Sequence, residues 1–333
     1  VLPFIKMHGL GNDYVYIDGV THARALRGAD LPALARAISD RHTGVGGDGL
    51  IVVGRPSSAR AHVRMRIFNA DGSEAEMCGN GVRCVAKLAH DHLGLRHQPL
   101  HVQTGRGVLE IAGTIADGAL TSATVDMGAP ILELDQVPVA SSAVHPAGHP
   151  YESVLHLPGA NPVATFVSMG NPHAVIFTTA LTRGAKAGNK PSNRARVAPG
   201  AGVPARLADI ALHNLGPALE QHPAFPNRAN IHFVEVHAPN HASMRTWERG
   251  SGATQACGTG ACAVLVAGVL TGRLDRRADI DLPGGRLHIH WDQASDHVLM
   301  TGPATEAFTG VWPLPVARTK KLAGARRRAG ARA

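Results

Sequence analysis

Aromatic residues make up only 4% of the 333-residue chain, and its most apolar run, Ala261 to Leu270, is short. That run falls well below the roughly 20 residues a membrane-crossing helix needs. With so few rings, the sequence also lacks the alternation of cations and aromatics on which single-stranded nucleic acid stacks. Cysteine is scarce, at four residues, which excludes a disulfide framework for a chain of this length. Val1 to Lys6 shows neither the basic region nor the apolar core of a signal peptide. These absences lead to the expectation of a soluble, cytoplasmic protein with no membrane and no required nucleic-acid partner.

Acidic residues are missing from one stretch in particular. Ala317 to Ala333 holds seven cations and no acid, which leaves only +1 of the +8 net charge for everything else. Basic and poor in apolar residues, this stretch is expected to be a disordered tail, able at most to touch an anionic surface. The remainder, 44% hydrophobic, is long enough for two domains with cores of their own.

What is present is a short pattern that occurs twice, Cys78-Gly79-Asn80-Gly81 and Cys257-Gly258-Thr259-Gly260. Helical stretches follow each copy, Val82 to Leu93 and Ala261 to Leu270. A helix mouth carries backbone N–H groups without intrahelical partners and a partial positive charge. Such a mouth holds anions and is expected to draw a thiol from about 8.5 towards neutrality. The glycines admit a ligand close to the backbone. Two mouths facing one pocket would hold a carboxylate between two thiols, a site for moving an α-proton.

The other cysteines, Cys84 and Cys262, point roughly 120° and 140° around their helices from the first pair. Neither pairing suits zinc, and both residues are expected to be small core residues. His288 and His290 share a strand face without a third ligand, so no metal site is expected.

Along the chain, strands are expected at Tyr14 to Asp18, Leu50 to Val53, Val63 to Phe68, Leu100 to Gln103, Gly107 to Ile111 and Ala123 to Met127. A helix is expected at Leu31 to Ser39. The glycine loop Gly44 to Gly49 is neither a P-loop nor a dinucleotide fingerprint. Pro130, Pro138, Pro146 and Pro150 mark a domain boundary. Beyond it, Leu155 to Leu157, Phe166 to Met169 and Ala174 to Phe177 are strand-like, and Ile210 to Gln221 is helical. Leu181 to Leu207, rich in Gly, Ala, Pro and Arg, is expected to be an inserted flexible loop. Strands at Ile231 to Val236, Leu287 to Trp291 and Val298 to Met300 complete the body.

From Phe4 to Trp312 the chain resembles the diaminopimelate epimerases. The resemblance lies in Lys6 to Asp13, Asn69 to Ser73, Met77 to Cys84, Gly170 to Val175, Asn230, Trp247 to Gly250 and Ala256 to Gly260. It implies an α+β fold of two similar domains, each a curved, mostly antiparallel sheet around a central helix, with the site in the cleft between them. The first domain would comprise residues 1–128 with 300–316, the second 129–299. The resemblance further implies cofactor-free epimerisation of LL-diaminopimelate to the meso isomer, a step towards lysine and cell-wall precursors. A homodimer is the expected assembly, with a small-molecule substrate, no cofactor and no metal.

Carried over residue by residue, Cys78 and Cys257 become the acid/base thiols, and His173 and Glu248 help manage their protons. Gly79-Asn80 and Gly258-Thr259 bind the α-carboxylate. Asn12, Asn69, Asn171, Asn230, Glu248 and Arg249 bind the polar ends of the substrate. The chain departs from many members at Gly49, where they have Gln, and at Ala253, where they have Glu. Two other readings use the same residues. A proline or hydroxyproline racemase would use paired cysteines too, and a cysteine hydrolase would pair Cys257 with His173.

Overall fold

A computed structural model describes residues 1–180 and 206–314. The expected tail, and all of the expected insertion except its last two residues, lie outside the described residues.

The first half runs β1 (Leu2–Gly9), β2 (Asn12–Asp18), α1 (Leu31–Ser39), β3 (Gly49–Gly54) and β4 (Val63–Asn69). It continues with β5 (Glu74–Ala75), α2 (Gly79–Asp91), β6 (Leu100–Thr104), β7 (Gly107–Ala116) and β8 (Ala119–Asp126). Two short strands follow, β9 (His145–Pro146) and β10 (Ser153–Val154). The second half then repeats the order with β11 (Val163–Ser168), β12 (Pro172–Phe177), α3 (Leu212–Glu220), β13 (Asn230–Ala238) and β14 (His241–Glu248). After these come β15 (Gly252–Thr254), α4 (Gly258–Leu270), β16 (Arg277–Leu282), β17 (Gly285–Trp291), β18 (Val298–Pro303) and β19 (Thr305–Trp312).

The duplication extends to the pairing. Strands β1 and β2 are antiparallel, β2 and β3 parallel, β3 and β4 antiparallel, and β4 and β6 parallel, with antiparallel steps to β7 and β8. The ladder β11-β12-β13-β14-β16-β17-β18 repeats these senses in the same order. The halves are sewn together where β8 pairs antiparallel with β18, and β19 returns to β1 with Trp312 opposite Leu2. The result is an α+β architecture of two similar halves.

Each sheet is covered on both faces, which explains why its strands read as nearly unbroken apolar runs. Leu2, Phe4, Val15, Ile17, Leu50 and Val52 turn to Leu34, Ala35 and Ile38 of α1. Their neighbours Met7, Tyr14, Tyr16, Ile51 and Val53 turn to α2. Asp30 caps α1 by accepting from the Ala33 N–H at 3.0 Å, and Pro32 fits its first turn. Burying Ile38 and Leu34 contributes about 2 kcal/mol each. Helix α4 is buried from Gly260 to Gly268 with no polar face, as a helix enclosed by a sheet must be. Helices α2 and α4 share one apolar core that spans both halves.

Three expectations change. Leu155 to Leu157 is not a strand: Ser153–Val154 pairs with β9 and β11, while Leu157 makes only a bridge to Ala160. The helix expected from Ile210 begins at Leu212, because Leu207–Asp209 forms a separate 3-10 turn. Leu207, the expected end of the flexible insertion, is buried, and its backbone is held by Glu235 and Arg245.

Candidate active site

Cys78 and Cys257 are the N-cap residues of α2 and α4, each in extended conformation. The Cys78 sulfur accepts the Gly81 N–H at 3.4 Å. The following glycines let the two mouths meet. A Cβ on Gly79 would come 2.8 Å from Met300 Cε, and one on Gly258 would come 2.9 Å from Met300 Sδ. One methionine of β18 thus packs against both helix starts. Asn80 Nδ2 then crosses to the Ala256 carbonyl at 3.3 Å, joining the first mouth to the second.

Both cysteines open onto a cleft of about 920 Å³ lined also by Asn12, Asn69, Gly79, Asn80, Asn171, Glu248, Gly258 and Thr259. The structure therefore brings most of the expected residues to one cleft. Its electrostatics differ from the expectation drawn from helix mouths alone. Burial pushes both thiols up, Cys257 well above the usual thiol range, and outweighs the lowering by backbone N–H groups of Asn80, Gly81 and Gly260. Glu248 adds to the rise at both sulfurs, and burial holds its own carboxyl above the ordinary value. Cys84 and Cys262 are fully buried, with thiols pushed up to about 11 and about 12.

The amide of Asn12 is aimed by acidic support. Its Nδ2 donates to Asp48 Oδ2 at 2.7 Å, so its Oδ1 faces the Cys78 sulfur at 3.4 Å. Arg41 bridges Asp48 and Asp13, fixing that support. Asp48, Arg41, Arg106 and Gln255 all line the cleft, though sequence reasoning singled out none of them. Asp48 lay in a glycine loop with no recognised motif; Arg41 and Arg106 carried no local signal.

Three expected residues are not on the cleft wall. Asn230 is buried as a brace, donating to the Pro172 carbonyl and accepting from the Arg249 N–H. The Arg249 guanidinium reaches the Asn227 carbonyl at 3.1 Å. His173 is 1% exposed, with Nδ1 2.8 Å from His232 Nε2 and Nε2 2.9 Å from Asn171 Oδ1. The departures from family pattern also find places. A Cβ at Gly49 would meet the Phe68 carbonyl oxygen at 2.1 Å, so no longer side chain fits there, while Ala253 lines the cleft.

Donor atoms of His173, His232 and Cys257 lie within 4.8 Å of one another. Two nitrogens on one tetrahedral zinc, with bonds of about 2.0–2.1 Å, stand roughly 3.3 Å apart. The 2.8 Å His173–His232 contact is shorter and fits a shared proton.

Matching the two ladders reveals a further correspondence. Tyr14 lies opposite Gly49 where His173 lies opposite Asn230. Gly49 in turn faces Asn69, as Asn230 at the start of β13 adjoins Glu248 at the end of β14. Tyr14 is therefore the first half's counterpart of His173, and burial beside Cys78 and Asp48 pushes its hydroxyl well above the usual range.

Solved structures share this fold. A probable proline racemase from Agrobacterium radiobacter K84 superposes with a TM-score of 0.62 at 13% identity, covering 95% of this chain and 94% of that one. A hydroxyproline epimerase from Agrobacterium vitis gives 0.61 at 14% identity, covering 93% and 91%. At these identities the likeness is one of fold. The family model for diaminopimelate epimerase matches residues 4–133 and 204–306. Among curated relatives, the diaminopimelate epimerase of Desulfovibrio desulfuricans is 44% identical over 93% of this chain and 97% of its own. That of Moorella thermoacetica is 42% identical over 94% and 100%. The chain belongs to the diaminopimelate epimerase family, whose members are isomerases.

Proposed function

We propose that the chain epimerises LL-diaminopimelate to meso-diaminopimelate by a cofactor-free, two-base mechanism with Cys78 and Cys257 as the acid/base pair. The observation that carries this reading is the meeting of the two cysteine-capped helix mouths on Met300, above one cleft. The substrate α-carboxylate takes the N–H groups of Gly79-Asn80 and Gly258-Thr259, whose partial charges stabilise the negative charge that develops at the α-carbon. One thiolate removes the α-proton while the opposite thiol delivers another. The active form therefore holds one proton across the pair, and its ionisations belong to both cysteines.

Glu248 is placed to take the proton that Cys257 must lose: burial holds its own carboxyl above the ordinary value, which suits it to carry a proton, while its charge acts on the neighbouring thiol. Asn12, Asn69, Asn171 and Arg249 are proposed to engage the polar ends of the substrate, with Asn230 acting through the Arg249 backbone. A hydrolase built on Cys257 and His173 is disfavoured, because both His173 nitrogens are occupied by His232 and Asn171.

The proposed division into residues 1–128 with 300–316 and 129–299 is supported by the return of β19 to β1, with β18 at the seam pairing to both β8 and β17. No helix among the described residues is long and apolar enough to cross a membrane. A cytoplasmic homodimer is the proposed setting, and exposed Phe308 and Val311 on edge strand β19 offer surface for self-association.

The deciding experiment offers purified, reduced protein LL-diaminopimelate, L-proline and trans-4-hydroxy-L-proline in parallel. Appearance of the meso isomer alone is expected. Turnover of either proline and none of diaminopimelate would overturn the reading.

A further inference from the structure

Thr246 and His232 stand at the buried end of a hydrogen-bond chain that finishes on the Cys257 sulfur. Thr246 Oγ1 lies 3.0 Å from His232 Nδ1, His232 Nε2 lies 2.8 Å from His173 Nδ1, and His173 Nε2 lies 2.9 Å from Asn171 Oδ1. Asn171 Nδ2 lies 3.4 Å from Thr259 Oγ1, which is 3.7 Å from Cys257 Sγ. Thr246, His232 and His173 are 3%, 0% and 1% exposed, so their polar atoms are satisfied within the chain rather than by bulk water.

The direction of donation is set from the buried end. The Thr246 hydroxyl has one partner among the described residues, His232, and so it donates to Nδ1. A neutral imidazole that accepts at Nδ1 carries its proton on Nε2. Burial keeps both rings neutral, with His232 lowered to about 3 and His173 held well below the usual range. His232 therefore donates to His173 Nδ1, and the same rule places the His173 proton on Nε2, facing the Asn171 carbonyl oxygen. The Asn171 NH₂ group is then turned to Thr259, whose oxygen accepts from it. That leaves the Thr259 hydroxyl proton for the sulfur. The reverse direction would strand the Thr246 proton in the core without an acceptor.

We infer that Thr246 and His232 are positioning residues that set the tautomer of His173 and thereby aim the Thr259 hydroxyl proton at Cys257, favouring its thiolate. The inference rests on the proposed role of Cys257 in proton transfer. Glu248 and Cys78, the other ionisable groups acting on Cys257, both oppose the thiolate, and Thr259 is the side chain that counters them. Space is reserved for the arrangement: a Cβ on Gly260 would lie 2.3 Å from His232 Cε1 and 3.0 Å from Cys257 Sγ.

Long-range proton–nitrogen correlation on histidine-labelled full-length protein reads the tautomers without substrate. Both His173 and His232 are expected in the Nε2–H form. Finding either in the Nδ1–H form overturns the inference. A second arm follows iodoacetamide alkylation of Cys257 against pH, with Cys78 of the same molecule as reference. Thr246→Val and His232→Leu are expected to move the Cys257 profile up by about one pH unit, roughly tenfold in thiolate at a given pH. Thr246→Ser is expected to restore it, and Cys78 to move by much less than Cys257 through their coupling. An unmoved Cys257 profile, or an equal shift at both cysteines, overturns the inference. The tautomers are read on the resting enzyme, so a protein with the expected tautomers and no epimerisation sinks the functional reading alone.

Discussion

The Arg83 guanidinium donates to the Asn80 side-chain oxygen at 3.0 Å, fully buried and without a carboxylate partner among the described residues. It also donates to the Gly79 and Pro303 carbonyls and to the Met300 sulfur. An unpaired buried cation is costly and persists only where its surroundings hold it. Here it sits directly behind the first helix mouth, where it lowers the ionisation of Cys78, and through Asn80 it reaches the Ala256 carbonyl beside Cys257.

Arg83→Met is accordingly expected to leave the Asn80 side-chain oxygen without its donor and to remove the bonds to the Gly79 and Pro303 carbonyls, at about 1–3 kcal/mol where a buried acceptor goes unpaired. A clear fall in melting temperature should accompany an alkylation profile of Cys78 moved to higher pH. Arg83→Lys keeps the charge and should recover the profile more fully than the stability. A Cys78 profile indifferent to both variants would show that the charge is not felt at the sulfur.

Replacing either Cys78 or Cys257 by Ala is expected to lower epimerisation by about a thousandfold or more, since each face loses its only acid or base. In heavy water, the first meso product should carry deuterium at the inverted carbon while unreacted substrate keeps protium. Much protium in early product would point to a single base serving both faces.

Cysteine reactivity should divide cleanly. Cys78 is partly exposed, whereas Cys84 and Cys262 are enclosed with thiols at about 11 and about 12. At pH 8, limiting iodoacetamide should label Cys78 first, and peptide mass spectrometry should find Cys84 and Cys262 modified only after denaturation. Early labelling of either would contradict their place in the core.

Tyr14 should act directly on Cys78 and not on Cys257. Tyr14→Phe removes a hydroxyl beside that sulfur and leaves the ring in the core, so folding should be little changed. The alkylation profile of Cys78 should move by more than that of Cys257, which feels the change only through its coupling to Cys78. Identical profiles before and after would confine Tyr14 to packing.

Asp281 gives a pH dependence of stability outside the cleft. Hydrogen bonds from Arg286 and His241 lower its carboxyl to about 2 from the ordinary 3.8. A depressed folded-state value means the contribution is complete above the unfolded value and is lost as pH falls from about 3.8 through about 2. Asp281→Asn should therefore melt below the unsubstituted protein at pH 6, and the gap should shrink to a small remainder at pH 2. A gap that persists unchanged in acid would assign it to packing instead.

Some of this was legible in the residues themselves. Helix α1 falls on the stretch that apolar spacing marks out, because Leu34, Ala35 and Ile38 recur at the helical period and Asp30 caps the turn. The cysteine-glycine pairs are local patterns, so the helix mouths, and the chemistry they suit, were visible in sequence. The thiols' actual ionisation was not, because it depends on how much protein closes over each sulfur, and burial outweighed the helix ends. Nor were His232 and Thr246 visible. One stands in an apolar strand and the other between Arg245 and Trp247, where each passes for an ordinary strand residue. Only the parallel register of β12 on β13, and the antiparallel register of β13 on β14, sets His173, His232 and Thr246 side by side. Sequence determined the groups that local geometry can hold. Tertiary structure decided their protons, because hydrogen bonds and desolvation are fixed by neighbours that lie far away along the chain.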